Sequence, residues 1–196
     1  MDLKRTHISF KSQLRIVIIV CSILTAIEIL NVLSGRSFNA IGIIPRNFES
    51  GLRGILLAPF IHANIGHFLA NIIPFSIFSF LVLQHGLVRY MLVTGVCITL
   101  SGLLVWGMGR SAIHIGSSGL IYGYFGFLLL AGLFSRELKL IAISAFVGIS
   151  YGGLIFGILP VMPFVSWESH LFGLLAGFLC AYLWAYEKKS DDINLR

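Results

Sequence analysis

The chain has 196 residues, of which 57% are hydrophobic and only 11% charged, with a mean hydropathy of +0.93; a soluble domain carries about 25% charged residues. That composition excludes an ordinary soluble globular protein and points to an integral membrane protein. The net charge of +6 comes from short basic clusters between long uncharged runs, so it does not form a nucleic-acid face, and no nucleic-acid partner is expected. Cys21, Cys97 and Cys180 are odd in number, lie in apolar stretches and lack CxxC or CxxH spacing. They are expected to be buried thiols, forming neither a disulfide framework nor a metal site.

A spanning helix needs about 20 apolar residues at 1.5 Å each. Six such windows appear, at about 14–34, 65–84, 87–106, 115–134, 139–159 and 168–186. The first follows the basic stretch MDLKRTHISFKSQLR with no small-residue cleavage site and is expected to be retained. The predicted organisation is an all-α, polytopic membrane protein: a cytoplasmic N-terminal tail over 1–13, a six-helix domain over 14–186, and a cytoplasmic C-terminal tail over 187–196. Basic residues set the orientation. With both termini inside, the inner side holds Lys4, Arg5, Lys11, Arg15, Arg89, Arg136, Lys139, Lys188, Lys189 and Arg196, and the outer side only Arg36, Arg46, Arg53 and Arg110. The longest connection, about 35–64, then lies outside, and its GILLAP run suits a segment lying in the membrane interface.

Polar groups inside a membrane are costly and mark candidate sites. The second span opens with HANIGHFLAN, the fourth with HIGSSGLIYG and the sixth with SWESHLFG. These three run in the same direction, so His62, His67, Asn71, Ser117, Ser118 and His170 fall at similar depth in the outer part of the membrane. Asn71 lies one helical turn after His67 and shares its face. Gly119-x3-Gly123 and Gly173-x3-Gly177 let the fourth and sixth spans approach closely, which brings a serine and His170 within reach and leaves Tyr122, one turn below Ser118, free to pack on the imidazole.

That set suggests nucleophilic acyl transfer. A serine hydroxyl needs a base to take its proton, and neutral His suits the task. The oxyanion of the tetrahedral intermediate needs donors, for which the free N–H groups at the start of the fourth span, His67 and Asn71 are candidates. Glu168, two residues from His170, points to another side of the helix, so a Ser-His dyad is expected instead of a triad. Each residue taken singly has an ordinary structural explanation as a cap, packing contact or interhelical hydrogen bond; three helices placing polar groups at one depth do not. His7, His85 and His114 fall in tails or loops and are expected to be solvated. Glu28 and Asn31 are expected to make a polar contact to another helix, outside the site, and Pro74 to form a tolerated kink. There is no HExxH for a zinc protease, and the aspartates, Asp2, Asp191 and Asp192, lie in the tails. A polar-solute channel would need a polar path through the inner half, yet 125–133 and 174–183 carry no charge.

His62-x4-His67-x3-Asn71, Gly116-Ser117-Ser118-Gly119 and His170-x2-Gly173-x3-Gly177, in this order and at these helix ends, resemble the three motifs of the rhomboid intramembrane serine proteases, over essentially the whole chain. The resemblance implies a minimal six-helix prokaryotic form in which Ser118 is the nucleophile and His170 the general base. It implies an oxyanion hole from His67, Asn71 and the Ser118 N–H, with Tyr122 on the His170 ring, His62 as a structural or water-organising neighbour, and Gly116, Gly119, Gly173 and Gly177 as support. It further implies transmembrane protein substrates in contact with lipid, no cofactor or metal, and a place in the prokaryotic inner (plasma) membrane with the site open to the outer side. Relatives that bind transmembrane helices without cleaving them usually lack the serine or the histidine. Leu52-Arg53 stands near where many members carry Trp-Arg.

Overall fold

The computed structural model describes residues 8–49, 51–135 and 137–194; the expectations for His7 and Arg136 lie outside them. The described residues form an all-helical bundle: α1 (Phe10–Leu33), α2 (Gly51–Leu57), α3 (Ile65–Leu83), α4 (Leu87–Met108), α5 (Ser118–Ser135), α6 (Leu138–Tyr151) and α7 (Trp167–Asn194). Six stretches are long and apolar enough to cross a membrane; the fifth is α6 continued by a 3-10 turn to Ile158. The protein is thus a multi-pass membrane protein.

The helix ends follow local chemistry. Ser9 caps α1, its hydroxyl accepting the Ser12 N–H at 3.2 Å, and Asn64 caps α3 by accepting the His67 N–H at 2.8 Å, each satisfying an otherwise orphaned amide. α5 begins at Ser118, three residues later than hydropathy suggests, because Gly116 has φ +116°, a conformation open to glycine and foreign to a helix.

α5 occupies the centre, touching α3, α4, α6 and α7, while α1 packs on α3 and α2 on α4. Its sequence is apolar all round, as a helix enclosed on every side requires. Against α7 the backbones nearly touch: a side chain at Gly173 would collide with the Gly119 carbonyl, and one at Gly177 with the Gly123 carbonyl. At the opposite end of the bundle, Gln84 after α3 donates to Gln13 of α1 at 2.7 Å and accepts from Lys139 of α6 at 2.7 Å. The start of α1, the end of α3 and the start of α6 therefore share one face of the membrane protein, and the starts of α3, α5 and α7 share the other.

The long connection after α1 is ordered. A 3-10 turn (Ser37–Ile41) leads to α2, whose Gly51, Gly54 and Ile55 are buried while Leu52, Arg53, Leu56 and Leu57 are exposed. Gly102 of α4 receives Ile55. The exposed leucines with one arginine suit a short helix at the membrane boundary.

Two expectations about loops need correction. His85 is buried, edge-on to Phe127 and Trp184 at 5.0 and 5.2 Å, and His114 is 2% exposed. Both loops are short and drawn into the bundle, so their histidines are enclosed by helix ends instead of solvent. Glu28, expected to contact another helix, pairs instead with Arg36, eight residues on, at 2.8 Å.

Candidate active site

Three helix starts converge on a cavity of about 790 Å³. His67 and Asn71 reach it from α3, Ser118 and Tyr122 from α5, and His170 from α7.

The two serines at the head of α5 face opposite ways. Ser117 is buried; its N–H donates to His62 Nε2 at 3.4 Å and its hydroxyl lies 3.3 Å from the same nitrogen. Since Nε2 accepts a backbone N–H, the ring proton sits on Nδ1 and the Ser117 hydroxyl donates. The Ser117 carbonyl accepts the Ile121 N–H at 2.9 Å, the first bond of α5, which leaves the N–H of Ser118 among the unpaired amides at the helix start. Ser118 is half-buried and lines the cavity.

His62 is held from behind. Its carbonyl accepts from Arg36 at 3.0 Å and from Asn31 at 3.3 Å, and Arg36 in turn pairs with Glu28. Its ring stands edge-on to His67 and Phe68 at 5.2 and 5.3 Å. Burial, with smaller contributions from the neighbouring His67 and Arg36, pushes its pKa from 6.5 down to about 4. His62 is therefore neutral at physiological pH and lies behind Ser117, outside the cavity lining.

His67 Nδ1 accepts the Ala63 N–H at 3.4 Å, so the neutral ring carries its proton on Nε2. That edge rests on Gly116, where a Cβ would come within 2.7 Å of Nε2; the glycine is required both by its φ and by this contact. Asn71 spends one amide hydrogen on the His67 carbonyl at 2.7 Å and keeps the other.

His170 is fixed by two contacts. Its ring lies flat on Tyr122, centroids 4.1 Å apart and planes 4° from parallel. Its Nδ1 lies 2.8 Å from the Gly157 carbonyl, which only accepts, so Nδ1 holds the proton and Nε2 is left basic. Tyr122 donates to the Leu154 carbonyl at 2.8 Å. A side chain at Gly157 would strike the Tyr122 hydroxyl, so glycine is needed for the 3-10 turn after α6 to reach both rings. Among the described residues Ser118 makes no hydrogen bond to His170; catalytic pairs often close only with substrate in place. Sequence reasoning did not find Gly157, because a backbone acceptor leaves no signature in residue type. It also missed His114 and Arg110. His114 Nδ1 meets the Ser166 hydroxyl at 2.5 Å, and Arg110 pairs with Glu168 at 3.6 Å.

The Rhomboid domain model matches residues 49–187. Similar proteins include an uncharacterized protein of Mycobacterium bovis, Mb1372, 39% identical over 171 residues that cover 83% of this chain and 71% of the relative. A Bacillus subtilis protein provisionally named a rhomboid protease, YdcA, is 30% identical over 148 residues, 68% of each chain. A mimivirus protein provisionally named rhomboid, L523, is 28% identical over 153 residues, 74% of this chain and 83% of its own. The chain belongs to the rhomboid family of intramembrane proteases.

Proposed function

We propose that the protein is a serine endopeptidase that cuts transmembrane segments of other membrane proteins through a Ser118–His170 dyad. The observation that carries this reading is the shared cavity, in which the free serine of the pair and the unprotonated edge of a stacked imidazole face the same space.

In the first step His170 Nε2 takes the Ser118 proton as Oγ attacks the scissile carbonyl. The oxyanion formed is met by the Ser118 N–H, His67 Nε2–H and Asn71 Nδ2–H. His170 then passes its proton to the leaving amine, and a water, activated by the same nitrogen, hydrolyses the acyl-enzyme. Throughout, the Gly157 carbonyl holds Nδ1–H and fixes the tautomer. A carbonyl stabilises the imidazolium less than a carboxylate does, but it avoids a buried charge in the membrane. Ser117 is a structural residue, its hydroxyl engaged by His62.

The tails are expected to be cytoplasmic and residues 14–186 to form the catalytic unit in a prokaryotic plasma membrane, with the cavity opening outward; the distribution of basic residues supports this orientation. Reconstituted protein should cleave a model transmembrane substrate and react with a fluorophosphonate. Both activities should vanish in Ser118→Ala and His170→Ala and persist in Ser117→Ala. Labelling retained in Ser118→Ala would sink the assignment. Transmembrane-helix binding with no labelling of the parent protein would instead favour a non-catalytic helix-binding role.

A further inference from the structure

The backbone contact that joins α5 to α7 fixes their separation closely and their register less so. Gly119 and Gly123 meet Gly173 and Gly177, and both pairs repeat every four residues. A slide of one turn, about 5.4 Å, would set Gly173 against Gly123 and so re-form one of the two glycine contacts. The Gly173 carbonyl already lies 3.4 Å from a Cβ placed on Gly123. Such a slide would carry His170 a full turn away from Ser118, so directional contacts that oppose it bear directly on the site.

The segment leading into α5 supplies them. Arg110 donates from its guanidinium to the Val165 carbonyl at 2.6 Å and pairs with the Glu168 carboxylate at 3.6 Å, and its backbone N–H reaches the same Glu168 oxygen at 3.3 Å. His114 Nδ1 meets the Ser166 hydroxyl at 2.5 Å, and that hydroxyl meets Ser169 at 2.6 Å. His114 Nε2 lies 3.1 Å from the Arg110 carbonyl, which only accepts. The ring proton is therefore on Nε2, and the hydroxyls form a one-way chain: Ser169 donates to Ser166, and Ser166 to His114 Nδ1. This chain needs a neutral imidazole, and burial lowers the His114 pKa. His114 itself cannot drift, because its N–H and C=O both pair with Ile43 at 2.9 Å. Two residues of the loop before Ser118, Arg110 and His114, thus hold Val165, Ser166 and Glu168 just ahead of His170.

We propose that Arg110, His114, Ser166 and Glu168 are positioning residues that lock the register of α7 on α5 and so bring His170 to Ser118. The proposal rests on the dyad reading above. Arg110, Ser166 and His114 also border the cavity, but their part in catalysis is carried through the helix starts they join. A lock of this kind acts on the reacting groups and leaves substrate binding along the bundle largely unchanged. Losing it should lower kcat and spare KM, since displacing catalytic groups by about 1 Å can cost on the order of 100-fold in rate.

The experiment compares Ser166→Ala, Ser166→Thr and His114→Ala in the full chain, reconstituted, with a model transmembrane substrate and a fluorophosphonate probe. Ser166→Ala and His114→Ala should lower kcat and the labelling rate in parallel, by roughly 10- to 100-fold, with KM within about two-fold and the melting temperature near that of the parent protein. Ser166→Thr, which keeps the hydroxyl, should recover most of the loss. Hydrogen exchange of the 167–170 amides should quicken in Ser166→Ala and return toward the parent rate in Ser166→Thr. If His114→Ala fails to fold, the Ser166 pair carries the test alone. Unchanged kcat and exchange in Ser166→Ala overturn the lock, as does a kcat loss that matches a loss of folded protein. Quickened exchange together with an active Ser118→Ala would leave the lock standing and remove the dyad.

Discussion

α5 and α6 are consecutive spans of similar hydropathy, 1.5 and 2.0, yet 72% of the first is buried within the protein and only 11% of the second. The less hydrophobic helix is the one at the core. Hydropathy measures how well a segment tolerates lipid, not how deep it sits in the bundle. What separates the two is side-chain size and where it falls. α5 places Gly119, Gly123, Gly126 and Gly132 against the backbones of α7 and α6 or the Cys97 side chain. α6 buries a single stripe, Leu140, Ser144 and Val147, and turns Ile141, Phe146 and Ile149 outward. The proposed chemistry falls on the helix that gives up apolar bulk for close approach, because backbone-to-backbone contact lets the starts of α5 and α7 bring side chains onto one cavity.

The sharpest way to break that contrast is to add bulk at the α5–α7 seam. Gly173→Val would drive side-chain atoms into the Gly119 carbonyl, which the helix cannot move without parting from α5. Overpacking in a tight core typically costs about 1–3 kcal/mol, and a collision with backbone should lie at or above the top of that range. Cleavage should fall to background and the melting temperature should drop. A Gly173→Val protein with parent activity would show that the seam is not what positions the site.

His62 tests the other side of the α5 start. Its folded pKa of about 4 lies below the ordinary 6.5, so between these values the unfolded chain binds more protons and stability rises with pH. The contribution is fully present above about pH 6.5 and is lost as pH falls toward 4, amounting to at most about 3 kcal/mol. The difference in unfolding free energy between the parent protein and His62→Gln, measured from pH 7 to pH 4, should shrink across that window. A difference independent of pH would mean that the imidazole is not held neutral against Ser117.

Removing the ring under His170 should have a smaller effect. Tyr122→Leu loses the parallel stack and should lower kcat about ten-fold, the equivalent of roughly 1.4 kcal/mol. Tyr122→Phe keeps the stack, loses only the hydrogen bond to Leu154, and should stay within a few-fold of the parent. Equal losses in the two variants would assign the effect to the hydroxyl and its hold on the 3-10 turn.

The spans were legible because charged residues punctuate apolar runs, so their pattern places most helix ends to within about four residues; α7, helical to Asn194 instead of ending near 186, is the exception. The convergence of His67, Asn71, Ser118 and His170 was legible because three spans open with polar residues while their remaining turns are apolar. The start of α5 was not, since Gly116 is one of 21 glycines and only the fold shows which of them has a positive φ. The burial of His85 and His114 was hidden for a related reason: a polar residue in a loop is assigned to solvent unless the loop is known to be folded inward. The Gly157 carbonyl had no signal at all, because every residue offers one.

The smallest effect is expected on α6, and it completes the contrast with the seam because it uses the same residue type. A Cβ added at Gly148 meets only Leu129 Cδ2, at 3.5 Å, an ordinary van der Waals contact, whereas at Gly173 it meets a carbonyl. Gly148→Ala therefore adds no clash and removes the backbone freedom that glycine brings to a helix interior, worth up to about 1 kcal/mol in water. In lipid the gain should be smaller, since hydrogen bonds within the helix are already favoured where no water competes. Activity should equal that of the parent and the melting temperature should stay level or rise slightly. A clear loss would mean that α6 is held to α5 as tightly as α7 is, and that its low burial understates its part in shaping the cavity.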